Sequence, residues 1–366
     1  ETKNMKDGEF DKIMERNGAV TNAATWLDWT YYLQNLPKGK LELVARLEAD
    51  RMENMVLNAR QLKSEREVVK NERRLRVDND PEGKLSEVLY ATTFQRHPYG
   101  WPTLGWMADL NAIELADCVS FYRTYYSPNN ATVVVVGDVT SEAVLRAIRQ
   151  RYGHLKAQKI PPEKRIVEPE PKAERRRTLH LALAAPKMVI GYRSPALADK
   201  DHAVVMVLNE ILFGGKSGRL SKLLVQEREL ASRASGWVGT FHFEGIYEMW
   251  FDLKKTSDPA TVETLVATEL ARLGRQPISP RELQKAKNAL EISLTRSLRS
   301  VGPIARQLGH YETTTGDYRR LFRVVARYRA VTRADVQRVA KRLFPPRRRV
   351  VITGLPLAPS KHKGGK

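Results

Sequence analysis

Two glutamates, Glu65 and Glu72, are the residues of this chain whose type and spacing most suggest chemistry. They lie in residues 64–76, SEREVVKNERRLR, in which Ser64 and Glu67 have the spacing of a capping box. This pattern predicts a helix that begins at Ser64. Because seven residues make almost two turns of an α-helix, Glu65 and Glu72 share one face of it.

The same face of the predicted helix carries Val68 and Val69, so we expect it to be turned inward. A carboxylate on an inward face is costly unless a cation, hydrogen bonds or a metal ion compensates its charge. The stretch also has basic residues at positions 66, 70, 73 and 74, which are typical of a solvated, charge-rich surface helix. The pattern alone leaves both interpretations open.

Other residue types that could carry chemistry do not form a recognisable site. No two of the seven histidines have the three- or four-residue spacing that holds a metal ion on one helix. Residues 214–217, GGKS, are not a phosphate-binding loop, because Glu210 stands where that loop needs its first glycine and a predicted helix precedes it. The single cysteine, Cys118, fits an apolar helical pattern and is better explained by packing than by reactivity.

The balance of charged residues limits the classes of partner. The chain carries 62 Lys and Arg residues against 42 Asp and Glu residues, a formal net charge of +20, which attracts anionic partners over long range. The excess is spread along the chain and no nucleic-acid-binding signature accompanies it, so we expect no nucleic-acid partner. No apolar run approaches the roughly 20 residues that span a bilayer, so we expect no membrane span.

An internal repeat gives the organisation of the elements that must position these residues. A length of 366 residues suggests about two domains. Residues 112–137 match residues 330–354, each with an Ala-Asp pair in a predicted helix, then a proline and an apolar run. Corresponding residues are 218 apart, as are Pro128 and Pro346. Two copies of one α+β domain explain this match.

The repeat and the composition together predict the domain boundaries. We expect an N-terminal domain over residues 1–153, a linker over 154–177, a homologous C-terminal domain over 178–358 and a basic tail over 359–366. The linker is rich in Lys, Glu, Pro and Arg and has little periodicity. The apolar run at residues 131–136, ATVVVV, predicts a central strand that is buried on both faces.

Several longer stretches resemble the pitrilysin/insulinase family of zinc metallopeptidases, the inverted zincins. They are residues 7–32 (DGEFDKIMERNGAVTNAATWLDWTYY), 65–74 (EREVVKNERR), 97–106 (HPYGWPTLGW), 125–139 (YYSPNNATVVVVGDV) and 208–231 (LNEILFGGKSGRLSKLLVQERELA). The chain looks most like the shorter, processing-peptidase-like members that are common in bacteria. The resemblance implies an α+β fold of two homologous domains, each an antiparallel or mixed sheet packed with helices, which together form half of a clamshell.

The resemblance also implies a metal site. Members of the family hold Zn²⁺ with His-x-x-Glu-His on one helix and a glutamate on a later helix, and the glutamate inside the motif activates the metal-bound water. By resemblance, Glu72 is the distal zinc ligand and Glu65 is an acid that supports the metal site from close by.

The His-x-x-Glu-His motif itself is absent from the chain. In relatives it lies just before the residues that match Glu1, so we expect the chain to begin immediately after the motif and to contain no catalytic residue. One glutamate is not a zinc site, and the chain by itself should not bind catalytic zinc with family geometry. Because Glu65 and Glu72 both remain, we favour a fragment over a naturally inactive homologue.

The substrate side of the family site is represented only in part. Asn22 and Ala23 match the edge strand that holds substrate backbone beside the metal by strand addition. Many relatives also carry an Arg and a Tyr in the second half that contact the substrate carbonyl, and the matching positions here are Gln226 and Ser232. Family members that lack this pair often work with a homologous partner subunit that supplies it, and the resemblance implies such a partner here.

The sequence therefore favours the zinc-bearing subunit of a metalloendopeptidase that cleaves peptides or unfolded protein segments. One alternative is a non-catalytic structural subunit of the same fold, and a weaker one is a basic adaptor for acidic partners. The residues encoded upstream of Glu1 would discriminate between the first two. By family habit we expect a location in the periplasm or cell envelope of a bacterium.

Overall fold

The computed structural model describes residues 1–357 and has a mixed α/β fold. The chain divides into two compact units, and each is built from segments of both halves of the sequence. Unit 1 comprises Glu1–Glu72, Thr103–Arg165 and Thr295–Phe322, and unit 2 comprises Arg73–Pro102, Ile166–Leu294 and the described residues from Arg323 onward. The predicted basic tail, residues 359–366, lies outside the described residues, as does residue 358.

The two halves of the chain carry the following elements. The first half contains α1 (Glu9–Arg16), β1 (Val20–Thr25), β2 (Thr30–Asn35), α2 (Leu41–Asn54), α3 (Ala59–Arg73), α4 (Pro81–Thr93), α5 (Met107–Ala112), α6 (Leu115–Tyr125) and α7 (Ser141–Tyr152). The second half contains β3 (Arg175–Leu181), β4 (Lys187–Ser194), α8 (His202–Phe213), α9 (Arg219–Ser221), β5 (Ala231–Val238), β6 (Gly245–Leu253), α10 (Pro259–Arg275), α11 (Pro280–Ser297), α12 (Val301–Thr315), α13 (Arg320–Ala330), α14 (Arg333–Leu343) and β7 (Val350–Pro356).

Unit 1 is built around the antiparallel hairpin of β1 and β2 and a small apolar core. Met5, Met14 of α1 and Leu47 of α2 are buried in this core. The hairpin brings aromatic residues of strong β propensity together, and Trp29 in its turn stacks on Tyr31 of β2 with ring centroids 5.1 Å apart. Helix α7 packs against α2, and α12 packs against β2.

Unit 2 is built around a five-stranded sheet in the order β3-β7-β4-β6-β5, in which only β3 and β7 are parallel. Successive side chains of a strand point to opposite faces, so the sheet has two apolar faces to cover. Ile190 of β4 belongs to the large core that also contains residues of α8, α10 and α14. The other face is covered by α4, whose Leu89 lies against Gly191 of β4. Residues 188–194 of β4 are therefore buried.

The structure repeats its elements with the spacing found in the sequence. Helices α6 and α14 each have 11 residues, begin with a capping box and lie 218 residues apart. A single 3₁₀ turn follows each of them, at Pro128–Asn130 and at Pro346–Arg348. With the same spacing, the first residues of α10, α11 and α12 fall within one helical turn of the positions that correspond to the first residues of α2, α3 and α4. The predicted boundaries at 1–153 and 178–358 stay a prediction, since the compact units interleave segments of these two halves.

The prediction of a buried central strand at residues 131–136 is wrong for the described structure. The segment has no strand pairing among residues 1–357, and Val133 and Val135 are 52% and 39% exposed. Its counterpart in the second half, β7, is buried along its first three residues because β3 and β4 pair with its two edges. Burial of an apolar run depends on such neighbours, which the run itself does not specify.

The prediction that a helix begins at Ser64 is also wrong. Helix α3 begins at Ala59, and Ser64 lies inside it. The side chain of Asn58 takes the capping role, because its Oδ1 accepts the backbone N–H of Gln61 at 3.0 Å. The spacing of Ser64 and Glu67 therefore does not mark the start of the helix. The residues before Ala59 determine where α3 begins.

Within the described part of the chain, no helix combines the length and the apolar character that crossing a bilayer requires.

Candidate functional site

The face of α3 that carries Glu65 and Glu72 is not turned inward among the described residues, which corrects the prediction from the sequence. Glu65 is exposed, Val68 is 55% exposed, and Val69 and Glu72 are half-buried. The helix itself is well formed and continues past Arg73 as a π-helical turn. The two carboxylates therefore stand seven residues apart on one side of a continuous helix, as predicted, but that side is largely open to solvent.

The second half of the chain carries apolar residues at the positions equivalent to Glu65 and Glu72. The 218-residue spacing aligns Glu65 and Glu72 with Leu283 and Leu290 of α11. Both leucines belong to the large core of unit 2, with exposed fractions of 8% and 7%. The first copy thus has a carboxylate at each of two positions where the second copy has a core leucine. Such an exchange is costly for a buried helix face unless a cation or donors meet the carboxylates.

The described residues do not fit a complete zinc site. A zinc site in a protein needs three or four ligands from His, Cys, Asp or Glu. No group of three or more such residues that could hold a metal ion is found among residues 1–357. Glu72 can supply one carboxylate ligand, and the remaining ligands would have to come from other residues.

A buried ion cluster fixes the end of α3 next to Glu72. Arg73 is 4% exposed, and its Nη1 donates to Oε2 of Glu87 in α4 at 2.7 Å. Lys84 donates to the other oxygen of Glu87 at 2.8 Å, and Asp78 lies 3.4 Å from Arg73 Nη2. Burial alone would raise the pKa of Glu87, but the hydrogen bonds from Arg73 and Lys84 outweigh it and hold the pKa below its usual value. Within unit 2, Arg73 is therefore held to α4 by a buried ion pair.

The predicted substrate-binding residues lie on an open edge of the hairpin. Asn22 and Ala23 are exposed in β1, and within residues 1–357 this strand pairs with β2 alone. The N–H of Trp26 donates to the carbonyl of Trp29, so alternate pairing directs the N–H of Ala23 away from β2. The Oδ1 of Asn22 accepts this N–H at 2.9 Å. A strand that adds to this edge would take the same N–H in place of the Asn22 side chain.

The positions that match the family's Arg and Tyr hold neutral side chains bonded to backbone. Nε2 of Gln226 donates to the carbonyl of Lys216 at 2.6 Å, and Oγ of Ser232 donates to the carbonyl of Asp252 at 3.2 Å. Both residues are exposed. Neither side chain carries a positive charge or a phenol.

One important residue lies in the predicted linker and was not singled out from the sequence. Glu168 is 8% exposed, and its carboxylate accepts the backbone N–H groups of Gln95, Arg96 and His97 at 2.8–2.9 Å. Burial alone would raise the pKa of Glu168, but these three hydrogen bonds and the nearby Arg193 hold it below its usual value. In a segment rich in Lys, Glu and Pro, the sequence pattern does not distinguish Glu168 as the acceptor for the N–H groups of residues 95–97.

Comparisons with known proteins bear on what these residues do. The family model described as insulinase (peptidase family M16) matches residues 1–106, and the model described as peptidase M16 inactive domain matches residues 112–290. The zinc protease PqqE of Helicobacter pylori is 31% identical over 346 residues, which are 94% of this chain and 78% of that protein. A probable mitochondrial-processing peptidase subunit beta of Schizosaccharomyces pombe is 24% identical over 359 residues, which are 94% of this chain and 76% of that protein.

A solved structure agrees with these matches. The crystal structure of a protease from Helicobacter pylori superposes with a TM-score of 0.92 at 30% identity, over 97% of this chain and 86% of that one. The matches in sequence and in structure confirm the resemblance to the pitrilysin/insulinase peptidases. The chain belongs to the insulinase family of peptidases, family M16.

Proposed function

We propose that the protein is the zinc-bearing subunit of a metalloendopeptidase. The observation that carries this proposal is the pair of carboxylates on α3, Glu65 and Glu72, at positions where the second copy of the repeat has the core leucines Leu283 and Leu290. Both carboxylates stand on a face that is largely open to solvent and so accessible to a metal ion, and the relative from Helicobacter pylori is named a zinc protease.

In the proposed site, Glu72 is a ligand of Zn²⁺ and Glu65 supports the site from two turns earlier on the same helix. The described residues supply no second and third ligand. The family resemblance assigns those ligands to the histidines of a His-x-x-Glu-His motif, which residues 1–366 do not contain, together with the glutamate that acts as the base. The chain's own contribution is the Glu72 carboxylate, which α3 carries.

The proposed substrate is a peptide or an unfolded protein segment in extended conformation. The open edge of β1 supports this, because the N–H of Ala23 faces away from β2 and can pair with a carbonyl of an added strand. Main-chain pairing gives affinity without demanding a particular sequence, which suits a peptidase of unfolded segments.

We further propose that a homologous partner subunit supplies the Arg and Tyr that are absent here. The neutral, backbone-bonded Gln226 and Ser232 support this. The relative from Schizosaccharomyces pombe is named as a subunit, which agrees with a shared site. The alternative is a non-catalytic structural subunit of the same fold. A location in the periplasm or cell envelope of a bacterium stays a proposal made by family habit.

The metal site is tested with the protein expressed from its complete coding sequence. We expect the purified protein to contain zinc and Glu72→Ala to lose it, because one of the few protein ligands of the ion is removed. Glu65→Gln should weaken zinc binding by about 10- to 100-fold, as changes beside a metal ligand do. Zinc content by atomic absorption and affinity by competition with a chromophoric chelator measure both effects.

The matched control is Glu67→Ala on the same helix. Glu67 is an exposed carboxylate paired with Lys70 at 2.7 Å, and its removal should leave zinc binding unchanged. Zinc retained by Glu72→Ala at wild-type affinity would reject Glu72 as a ligand. A complete protein that never binds zinc would instead favour the structural subunit.

A further inference from the structure

We propose that residues 168–174, EPEPKAE, form an acidic strap on unit 2 that works as a salt-sensitive latch. One end of the strap is anchored at Glu168, and the other end opens as the ionic strength rises. The strap lies inside the segment that the sequence predicts as a linker. Every group of the latch belongs to unit 2, so this inference is independent of the proposed function.

The anchored end of the strap is Glu168, which is held through both its side chain and its backbone. Its carboxylate accepts the three backbone N–H groups of residues 95–97. Its carbonyl accepts Nη1 of Arg193 at 2.8 Å, and this arginine side chain is 7% exposed. Because salt screens buried charges much less than exposed ones, we expect this end to stay bound at high ionic strength.

The opposite end of the strap is held by carboxylates that are more open to solvent. The Glu170 side chain is 53% exposed, and its oxygens accept Nη2 of Arg193 at 2.7 Å and Nε of Arg348 at 2.9 Å. The carboxylate of Glu174 accepts Nε of Arg349 at 2.6 Å. Ion pairs that are partly exposed weaken as the salt concentration rises. This end is therefore the one that salt should release.

The prolines of the strap explain why its attachment depends on the glutamates. Pro169 and Pro171 lie between the acidic residues. Because proline has no N–H to donate and favours an extended backbone, this segment cannot join the sheet as a regular strand. Among the described residues, pairing with β7 begins only at Arg175, the first residue of β3. The glutamate side chains and the Glu168 carbonyl therefore hold the strap.

Opening of the strap changes the charge that this surface of unit 2 presents. In the closed state, Glu170 and Glu174 lie against the guanidinium groups of Arg193, Arg348 and Arg349. When the strap lifts, two negative charges leave a surface that keeps its three arginines. The open state is therefore more basic than the closed state, and it attracts anionic groups more strongly.

The test is limited proteolysis of the full chain with trypsin, followed by mass spectrometry. The bond after Lys172 reports the strap, because its cleavage requires local opening of residues on both sides. The bond after Lys159 lies in the same predicted linker, outside the strap, and is the internal reference. We expect cleavage after Lys172, relative to Lys159, to rise at least about fivefold between about 0.05 M and about 0.5 M NaCl.

A double variant removes the two charges of the salt-sensitive end. Glu170→Gln with Glu174→Gln keeps the size of both side chains but removes their ion pairs. At low salt, this variant should be cleaved after Lys172 at least about tenfold faster than the wild-type protein, and the salt dependence should vanish. Each rate is divided by that of a synthetic peptide of residues 155–180 with the same substitutions, which corrects for the preference of trypsin itself.

The matched control removes two charges elsewhere in unit 2. Glu227 and Glu229 form exposed pairs with Lys222 at 2.8 Å and with Lys254 at 3.0 Å. Glu227→Gln with Glu229→Gln should be cleaved after Lys172 at the wild-type rate. Acceleration equal to that of the strap variant would reject a specific latch.

Two results would overturn the proposal. One is a wild-type protein whose cleavage after Lys172 keeps a constant ratio to that after Lys159 at every salt concentration. The other is a double variant that is cleaved after Lys172 no faster than the wild-type protein. If the double variant loses its cooperative thermal transition, Glu170→Gln alone repeats the measurement and must still accelerate this cleavage.

Amide hydrogen exchange tests the order of opening. Protection of residues 95–97 should persist at the salt concentration that makes Lys172 cleavable, because Glu168 is the anchored end. In Glu168→Ala, protection of residues 95–97 should fall at least about tenfold even at low salt. Simultaneous loss at both ends of the wild-type strap would reject the proposed order.

Discussion

At the scale of single residues, the chain uses the same position for different purposes in its two copies. Leu283 and Leu290 pack in a core, whereas Glu65 and Glu72 present carboxylates from the equivalent turns. Leu and Glu have similar helix propensities, so a helix accepts either pair. The burial of the helix face decides how much free energy each pair costs. In the proposed function, the helix positions that carry core leucines in the second copy serve the metal site in the first.

Glu168 gives a prediction about stability. Glu168→Ala leaves the N–H groups of Gln95, Arg96 and His97 without their shared acceptor. Removing a charged acceptor from one buried and two part-buried N–H donors costs of order 2 kcal/mol. We therefore expect the free energy of unfolding, measured by urea denaturation at pH 7, to fall by about that amount. An unchanged unfolding midpoint would contradict the structural role of this carboxylate.

The same carboxylate predicts a pH dependence. Its folded-state pKa lies below the usual value, so its contribution is fully present above the unfolded-state pKa of about 4.3. The contribution is lost as the pH falls from there through the folded-state pKa. The difference in stability between the wild-type protein and Glu168→Gln should therefore shrink as the pH falls below about 4.3. A difference that grows as the pH falls would show that the sign is wrong.

At the scale of elements, the hairpin edge is the feature that a substitution can test most directly. Ala23→Pro removes an N–H that faces away from β2, and proline is tolerated at a strand edge. We expect this variant to keep its thermal stability but to bind extended peptides at least about tenfold more weakly, because one main-chain bond of strand addition is lost. Peptide affinity by calorimetry and the melting temperature by circular dichroism measure the two effects.

The control lies one residue further along the same strand. Ala24→Pro removes an N–H that faces β2, so it should lower the melting temperature, because a ladder bond is lost. An equal fall in melting temperature for both variants would contradict the assignment of the Ala23 N–H to the open edge of β1. Unchanged peptide binding by Ala23→Pro would reject β1 as the substrate strand.

The sequence predicted the type of several elements but not their surroundings. The helix that carries Glu65 and the repeat of α6 and α14 follow from periodicity and spacing. The two wrong predictions have the same cause, because each depends on residues outside the pattern that suggested it. The start of α3 depends on Asn58, and the burial of residues 131–136 depends on neighbouring strands. The contact of Glu168 with residues 95–97 is equally non-local, across more than 70 positions.

At the scale of the whole molecule, the proposed site is shared with a second subunit. We expect the protein from its complete coding sequence to cleave unfolded peptides poorly alone and to become active with a homologous subunit that carries the Arg and Tyr. The physical reason is that a donor aimed at a developing oxyanion contributes about 10²–10³ in rate, and Gln226 and Ser232 cannot act as such donors. Peptide cleavage with and without the partner, at matched zinc content, measures this dependence.

A double variant provides the complementary experiment. Gln226→Arg with Ser232→Tyr places the missing types at the matching positions, both exposed. Partner-free cleavage should rise at least about tenfold if positions 226 and 232 reach the scissile carbonyl within one chain. Full activity of the unmodified protein on its own would argue against any need for a partner.

The interleaving of the two compact units also bears on how this polypeptide could be divided. A cut at the boundary between Arg165 and Ile166 leaves the first piece with α4 and the second with α12, each of which packs on β-structure that the other piece carries. Each piece would therefore lack one helix that packs on its own β-structure in the intact chain. Split-reporter designs rely on fragments that are unfinished apart and specific together, and the pseudo-symmetry of this chain provides that property without engineering.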